Sequence, residues 1–346
     1  MRDLGVDLGG ITEKRHVTLA EFKGKRLAID AFNTLYQFLT IIRQPDGTPL
    51  MDAQGRITSH LSGLFYRTCN LLEAGIRPTF VFDGTPSELK KKTIAERAAA
   101  KLEAEESMRA AREAGRVQEA AMLAQRTARL TSEMVAESKH LLELMGVPWV
   151  QAPSEGEAQC AAMCASGVAE AAASQDYDTL LFGSPVLVRN VTIAGRRKLP
   201  GRGIYSEIFP EQIILNESLA KLAITREKLV WIGMLAGTDF NEGIHGIGPK
   251  KALKLVLKHD SFEGIVGELG DKAQSFDWKP VEDLFLKPNV KQVDSQQTRL
   301  GELKRNELVE FMCEQRSFSR DRIESSIARA YKEPQDSSQA SLKKWF

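Results

Sequence analysis

The chain has 346 residues, 42% of them hydrophobic and 27% charged, with 47 basic residues against 46 acidic ones. This length suggests about two lobes at roughly 100–200 residues each, with a core that needs no disulfide or metal staple. The composition excludes a mostly disordered chain, and no apolar run approaches the ~20 residues of a membrane-spanning helix.

The net charge of +1 hides an uneven distribution. Ten basic residues and six glutamates lie between Lys90 and Arg129, and Arg189–Arg202 holds five basic residues with no acid. Lys250, Lys251, Lys254 and Lys258 follow one another closely. The opening MRDLGVDLGG has no apolar signal core, so a location inside the cell is expected. Cys69, Cys160, Cys164 and Cys313 form no CxxC pair, the histidines are scattered and no P-loop is present. Neither a zinc site nor a disulfide framework is expected.

In chain order, Lys25–Asp30 is a short apolar run that ends in an acid and reads as a strand. A helix follows, with Phe32, Leu35, Tyr36, Leu39 and Ile42 on one face, widened by Phe38 and Ile41. After the turn-rich PDGTPL comes a helical pattern over Ser59–Glu73, and Pro78–Asp83 repeats the strand that closes on an acid. Strand, helix, strand at this spacing predicts a parallel βαβ unit. From Leu89 to Met145 the chain is rich in Ala, Glu, Lys and Arg and is broken at Ala114-Gly115-Arg116. It reads as a projecting helical hairpin followed by a longer helix. A helix from Ser154, a strand of small residues over Val168–Gln175, and strands at Val186–Ile193 and Gly203–Ile208 come next. The remainder to Tyr331 is expected to be mainly helical.

Asp30, Asp83 and Asp176 each close a predicted strand, and ligands of open α/β sheets bind outside the carboxyl ends of the strands. Asp176 and Asp178 are i and i+2, on one side of an extended segment. Glu155 and Glu157 lie about 200° apart on a regular helix, so they converge only if Glu155 sits in an irregular first turn. Ser154-Glu155-Gly156-Glu157 also fits a capping box, which on local grounds explains Glu157 equally well. Together with Asp239, these carboxylates would repel one another severely without cations. Hard oxygen donors in a partly open cluster suit Mg²⁺ or Mn²⁺, and two such ions ~4 Å apart are a standard device for splitting phosphodiesters. Asp176-Tyr177-Asp178-Thr179 also fits the D-x-D-x-T pattern of aspartyl phosphatases, but that reading leaves five acids without a role.

The segments AIDAFNTLYQFL, RITSHLSGLFYRT, FVFDG, QAPSEGEAQ, SQDYDTLLFG and GTDFNEGIHGIGPKKAL resemble the flap endonuclease family of structure-specific 5′ nucleases, above all its archaeal members. The resemblance implies a twisted, mostly parallel α/β sheet with helices on both faces, in the PIN-like manner of 5′ nucleases. It implies cleavage of branched DNA at 5′ flaps, in replication and repair. Asp30, Asp83, Glu155 and Glu157 would serve one Mg²⁺, and Asp176, Asp178 and Asp239 a second. Lys90 and Arg97 would act on the scissile phosphate at the foot of a helical arch, and Tyr36 would stack on a base. Arg43, Arg67, Glu155, Gly237 and Asp239 fall on positions that contact DNA in the family. Gly246, Gly248, Lys250 and Lys251 match its helix–two-turn–helix, which holds the duplex with K⁺.

Gln339, Leu342, Trp345 and Phe346 resemble the motif that docks on the replication sliding clamp; the last three are i, i+3 and i+4. The implied organisation is an N-terminal nuclease region over 1–102, then an arch over 103–135 that continues from about 88. An internal nuclease region follows over 136–261, with the helix–two-turn–helix at about 230–260, then C-terminal helices over 262–332 and a flexible tail over 333–346. A monomer is expected, in the cytoplasm and associated with the nucleoid, without the lysine-rich tail of eukaryotic relatives. The chain departs from the family in having MRDL before Gly5 and Phe240 where a tyrosine is usual.

Overall fold

The computed structural model describes residues 5–193, 195–198, 205–273 and 277–332. The strands are β1 (Arg15–His16), β2 (Arg26–Asp30), β3 (Arg77–Phe82), β4 (Trp149–Gln151), β5 (Ala171–Ala173), β6 (Val186–Arg189), β7 (Gly195–Lys198), β8 (Tyr205–Ile208) and β9 (Glu211–Ile214). The N-terminal helices are α1 (Ala31–Ile41), α2 (Ser59–Glu73), α3 (Lys91–Glu113), α4 (Val117–Arg126), α5 (Ser132–Leu144), α6 (Gly156–Ala165) and α7 (Asp178–Leu181). They are followed by α8 (Leu215–Leu222), α9 (Arg226–Ala236), α10 (Pro249–Lys258), α11 (Phe262–Leu269), α12 (Lys279–Leu286), α13 (Arg305–Val309) and α14 (Arg320–Ala330).

Seven strands form one sheet in the order β1-β9-β6-β5-β2-β3-β4. β6, β5, β2, β3 and β4 run parallel, whereas β9 pairs antiparallel with both β6 and β1. Alternation along β2 and β3 explains the layers. Leu27, Ile29, Phe80 and Phe82 join the core formed with α1, α2, α5 and α14, while Ala28 and Val81 face Cys160 and Met163 of α6 on the other side. Small side chains on that second face, Ala28 and Ala172 among them, let α6 lie close to the sheet. The fold is thus the expected mostly parallel sheet with helices on both faces.

A second core gathers Leu180, Leu229, Ile232, Leu235, Val256 and Phe285, with Leu187 and Ile213 from the sheet. The 262–332 region contributes to both cores. α11 and α12 close the second, while α13 and α14 return to the first. Glu137 of α5 ties that return in place, accepting from Arg316 Nε at 2.9 Å and pairing with the buried His60 at 3.0 Å.

Several expectations need correction. After Ile208 the chain forms β9, where helix was expected; only Glu211–Ile214 is extended, too short a stretch to show alternation. The two-residue β1 and the separate β7–β8 hairpin also escaped the reading, apart from the second strand of that hairpin. The small-residue strand is only Ala171–Ala173, and Val186–Ile193 leaves the sheet after Arg189 for a 3₁₀ turn. The helix after the hairpin, α5, has 13 residues against 23 in α3, because Thr131 caps a fresh start after Arg126.

The arch is the α3–α4 hairpin. Its buried residues are small: Ala104 and Ala111 on α3, and Ala120 and Ala124 on α4. Leu102, Val117 and Met122 remain exposed.

Candidate active site

The rim at the carboxyl ends of β2, β3 and β5 collects the acids, because each strand stops where its chain turns towards a helix. Asp30 is the N-cap of α1, its Oδ1 accepting the Asn33 N–H at 3.0 Å. Asp83 follows β3 and accepts the Gly156 N–H at 2.8 Å. A side chain at Gly156 would collide with that carboxylate, so glycine is needed for this approach of α6 to β3.

Glu155 is the N-cap of α6 with extended backbone, and its side chain makes no capping bond. The capping box from Ser154 is therefore not formed. Instead the condition for Glu155 and Glu157 to converge is met, since Glu155 stands outside the regular helix. Glu155 accepts the Ser87 N–H at 3.2 Å and Lys90 Nζ at 2.5 Å.

Asp176, Asp178 and Asp239 form the neighbouring group. Asp176 Oδ1 accepts the Asp178 N–H at 3.0 Å, and Asp178 Oδ1 accepts the Val6 N–H at 3.2 Å. Asp239 Oδ1 accepts from Arg97 Nη2 at 2.5 Å and from the Gly5 N–H at 3.3 Å. Gly5 has φ +69° and its missing Cβ would overlap the Asp176 carboxylate. The segment before β1 thus threads between two acids with backbone donors alone.

Lys90 and Arg97 enter from the arch. Lys90 lies 3.8 Å from Asp239 as well as 2.5 Å from Glu155, so one ammonium spans both groups of acids. The foot of α3 is fastened beside it: Thr93 Oγ1 donates to the Asp239 carbonyl at 2.8 Å, and Lys92 pairs with Glu242.

The electrostatics follow from burial. Asp30, Glu155, Asp176, Asp178 and Asp239 are buried, while Asp83 and Glu157 are partly exposed. Desolvation raises Asp30, and raises Glu157 and Asp176 further with help from neighbouring carboxylates. Asp83 is pushed up to about 7 by burial and by Asp30, and Asp178 to about 7 by burial and by Asp239. Burial opposes the charge on Lys90, but Glu157, Glu155 and Asp83 outweigh it and hold the ammonium protonated.

Seven carboxylates face two basic side chains, an imbalance that hard cations with oxygen ligands would relieve. The donor set therefore fits Mg²⁺ or Mn²⁺. Among the described residues no three His, Cys, Asp or Glu side chains stand close enough to hold a metal ion as they are placed. Lys90 and Arg97 pair with oxygens of Glu155 and Asp239 that a cation would use.

The other residues singled out in the sequence lie around this rim or away from it. Tyr36 is half-buried; its hydroxyl donates to the Ala128 carbonyl at 2.7 Å and Lys101 sits 4.6 Å over its ring. Arg43 donates to the carbonyls of Leu39 and Gly47, both at 2.9 Å. Arg67 lies partly buried on α2, its guanidinium pKa lowered by burial. Gly237 caps α9, two residues before Asp239. Gly246 has φ +78° and its carbonyl accepts from Lys251 at 2.8 Å; Gly248 is the N-cap of α10, followed by Pro249 and Lys250. Gln339, Leu342, Trp345 and Phe346 lie outside the described residues.

Sequence reasoning missed Ser174, whose hydroxyl touches both groups of acids, and the backbone donors of Gly5 and Val6. A lone serine between an all-alanine strand and D-x-D was the only signal available.

Two family domains cover much of this architecture: the XPG N-terminal domain matches residues 8–104 and the XPG I-region residues 146–239. Flap endonuclease 1 of Methanothrix thermoacetophila is 49% identical over 346 residues, spanning 99% of this chain and 100% of the relative. That of Pyrococcus furiosus is 49% identical over 344 residues, covering 99% of both. The solved structure of flap endonuclease-1 from Methanococcus jannaschii superposes with a TM-score of 0.73 at 37% identity, covering 94% of this chain and 98% of that one. The chain belongs to the flap endonuclease family of XPG-type nucleases.

Proposed function

We propose that the protein is a Mg²⁺-dependent structure-specific endonuclease that removes 5′ flaps from branched DNA, with 5′–3′ exonuclease activity, in Okazaki-fragment maturation and repair. The observation that carries this reading is the rim itself: acids from strand ends and from the starts and ends of the neighbouring helices, with Lys90 and Arg97 over them from the foot of the arch. In this reading Asp30, Asp83, Glu155 and Glu157 hold one cation and Asp176, Asp178 and Asp239 a second, with Mn²⁺ as an alternative. When bound, such a pair supplies an activated water and steadies the leaving oxygen.

The chain's own residues have separate tasks. Lys90 and Arg97 exchange their carboxylate partners for the scissile phosphate and stabilise charge that develops on it. Tyr36 presents its ring to a base beside the cut. Arg43, Arg67 and Gly237 contact the DNA. The Gly246–Lys251 turn offers backbone N–H groups and lysines to duplex phosphates, with K⁺ as a companion ion, which makes binding salt-sensitive and largely independent of sequence. The flap passes through or beside the arch.

The tail residues Gln339, Leu342, Trp345 and Phe346 serve the sliding clamp, with the enzyme acting as a monomer in the cytoplasm, at the nucleoid. No described helix is long and apolar enough to cross a membrane. Deleting 339–346 should remove stimulation by the clamp, and undiminished stimulation would refute that assignment.

The central test uses purified protein with an end-labelled double-flap DNA, a matched hairpin duplex and a single strand, each with Mg²⁺ or EDTA. Mg²⁺-dependent release of the flap with one dominant cut near the junction is expected. Equal cutting of all three, or none, would overturn the reading.

A further inference from the structure

Ser174 is 5% exposed and stands immediately after β5, whose Ala173 is in register with Ile29 of β2. This places its hydroxyl opposite Asp30, across the seam between the two groups of acids. The Oγ–H donates to Asp30 Oδ2 at 3.1 Å, and the same oxygen accepts the Asp176 N–H at 3.2 Å. The donor and acceptor directions of the hydroxyl are therefore both in use, which fixes its rotor.

The bonds on either side extend this into a chain. Asp30 is held from its other oxygen by the Asn33 N–H. On the far side, the Asp176 carboxylate accepts from the Asp178 N–H, and the Asp178 carboxylate accepts from the Val6 N–H. The Ser174 hydroxyl links Asp30 to the turn that carries Asp176 and Asp178. A buried hydroxyl in such a relay is held more firmly than an isolated one, and loss of one member leaves others unpaired.

We propose that Ser174 is a positioning residue that couples the two carboxylate groups, so that its hydroxyl sets cation affinity at both positions together. It touches no reacting atom. Removing the hydroxyl frees Asp30 Oδ2 to swing and leaves the Asp176 N–H without its acceptor, so each group loses a constraint. Outer partners of metal ligands are commonly worth about 10–100-fold in metal affinity. The inference rests on the proposed reading of the acids as cation ligands, and the test separates the two.

Mn²⁺ binding to the full-length protein is measured by isothermal titration calorimetry without DNA, for wild type, Ser174→Ala and Ser174→Thr, with thermal melts in EDTA beside each. Wild type should bind Mn²⁺, Ser174→Ala should weaken both binding events by roughly tenfold or more, and Ser174→Thr should restore affinity to within a few-fold. An unchanged Ser174→Ala curve would overturn the coupling role alone. Equal weakening in both variants would assign the effect to packing and overturn it too. A wild-type protein that binds no Mn²⁺ would instead overturn the reading of the acids.

Discussion

The sheet rim and the arch are built on opposite plans. At the rim, where strands end beneath two packed cores, backbone donors hold several of the acids: Asn33 for Asp30, Gly156 for Asp83, Val6 for Asp178. The arch has a seam of alanines and leaves Leu102, Val117 and Met122 exposed. Its foot is fastened to the rim through Lys90, Thr93 and Arg97, and further along it rests on Tyr36 through Lys101 and on Gly47 through Ala121. The contrast teaches that the acids sit on braced strand and helix ends, while the projecting hairpin spends little burial on staying in place.

The sharpest test of this contrast is removal of a rim acid. Asp178→Ala should abolish cleavage while flap binding in EDTA stays within a few-fold; a near-normal rate in single-turnover assays would break the picture. Lys90→Ala should lower kcat by about 10²–10³ with a smaller change in KM, the loss expected for a group aimed at developing charge. A change confined to KM would reassign Lys90 to substrate binding.

A milder test uses the metal-free protein. Asp83 and Asp178 titrate at about 7 in the fold, with Asp30, Asp176 and Glu157 also raised, whereas unfolded carboxyls titrate near pH 4. The folded state therefore holds extra protons between roughly pH 4 and 7, and these groups' contribution to stability declines as pH rises through that window. In EDTA the Tm should fall by a few degrees from pH 5.5 to 8, and Mg²⁺ should restore more at pH 8 than at pH 5.5. A flat profile in EDTA, with equal Mg²⁺ gains, would mean that the acids are not under mutual strain.

The smallest effect belongs to the arch. Ala111→Gly removes a buried methyl and costs about 1 kcal/mol of helix preference. Hydrogen exchange should quicken across α3 and α4 and stay unchanged at β2 and β5. If exchange rises equally in the sheet, the arch is not an independent unit.

Much of this was legible in the chain. Short apolar runs that close on an acid located β2 and β3, and helical spacing located α1 and α2, all within a residue or so. Asp30, Asp83 and Asp176 stood out because each closes a strand, while Glu155, Glu157, Asp178 and Asp239 were picked out by their spacing and the family resemblance. What stayed hidden is what depends on distant partners. β1 and β9 are short edge strands whose pairing no local period encodes. The helix expected from Ser154 begins at Gly156 with Glu155 as its N-cap, and the Gly156 N–H is taken by Asp83, more than seventy positions earlier. Ser174 read as one more small residue of the predicted strand Val168–Gln175, and its role shows only with Asp30 across from it.

Lys90 immediately precedes the first residue of α3, a helix of 23 residues and hence about 34 Å long. The ammonium that bridges Glu155 and Asp239 is therefore the short arm of a lever whose long arm is the arch. A tilt of about 10° at the foot carries the tip of such a helix roughly 6 Å. A change of charge at the rim that tilts this foot would therefore be magnified along the hairpin, and a push on the tip would be returned to the carboxylates.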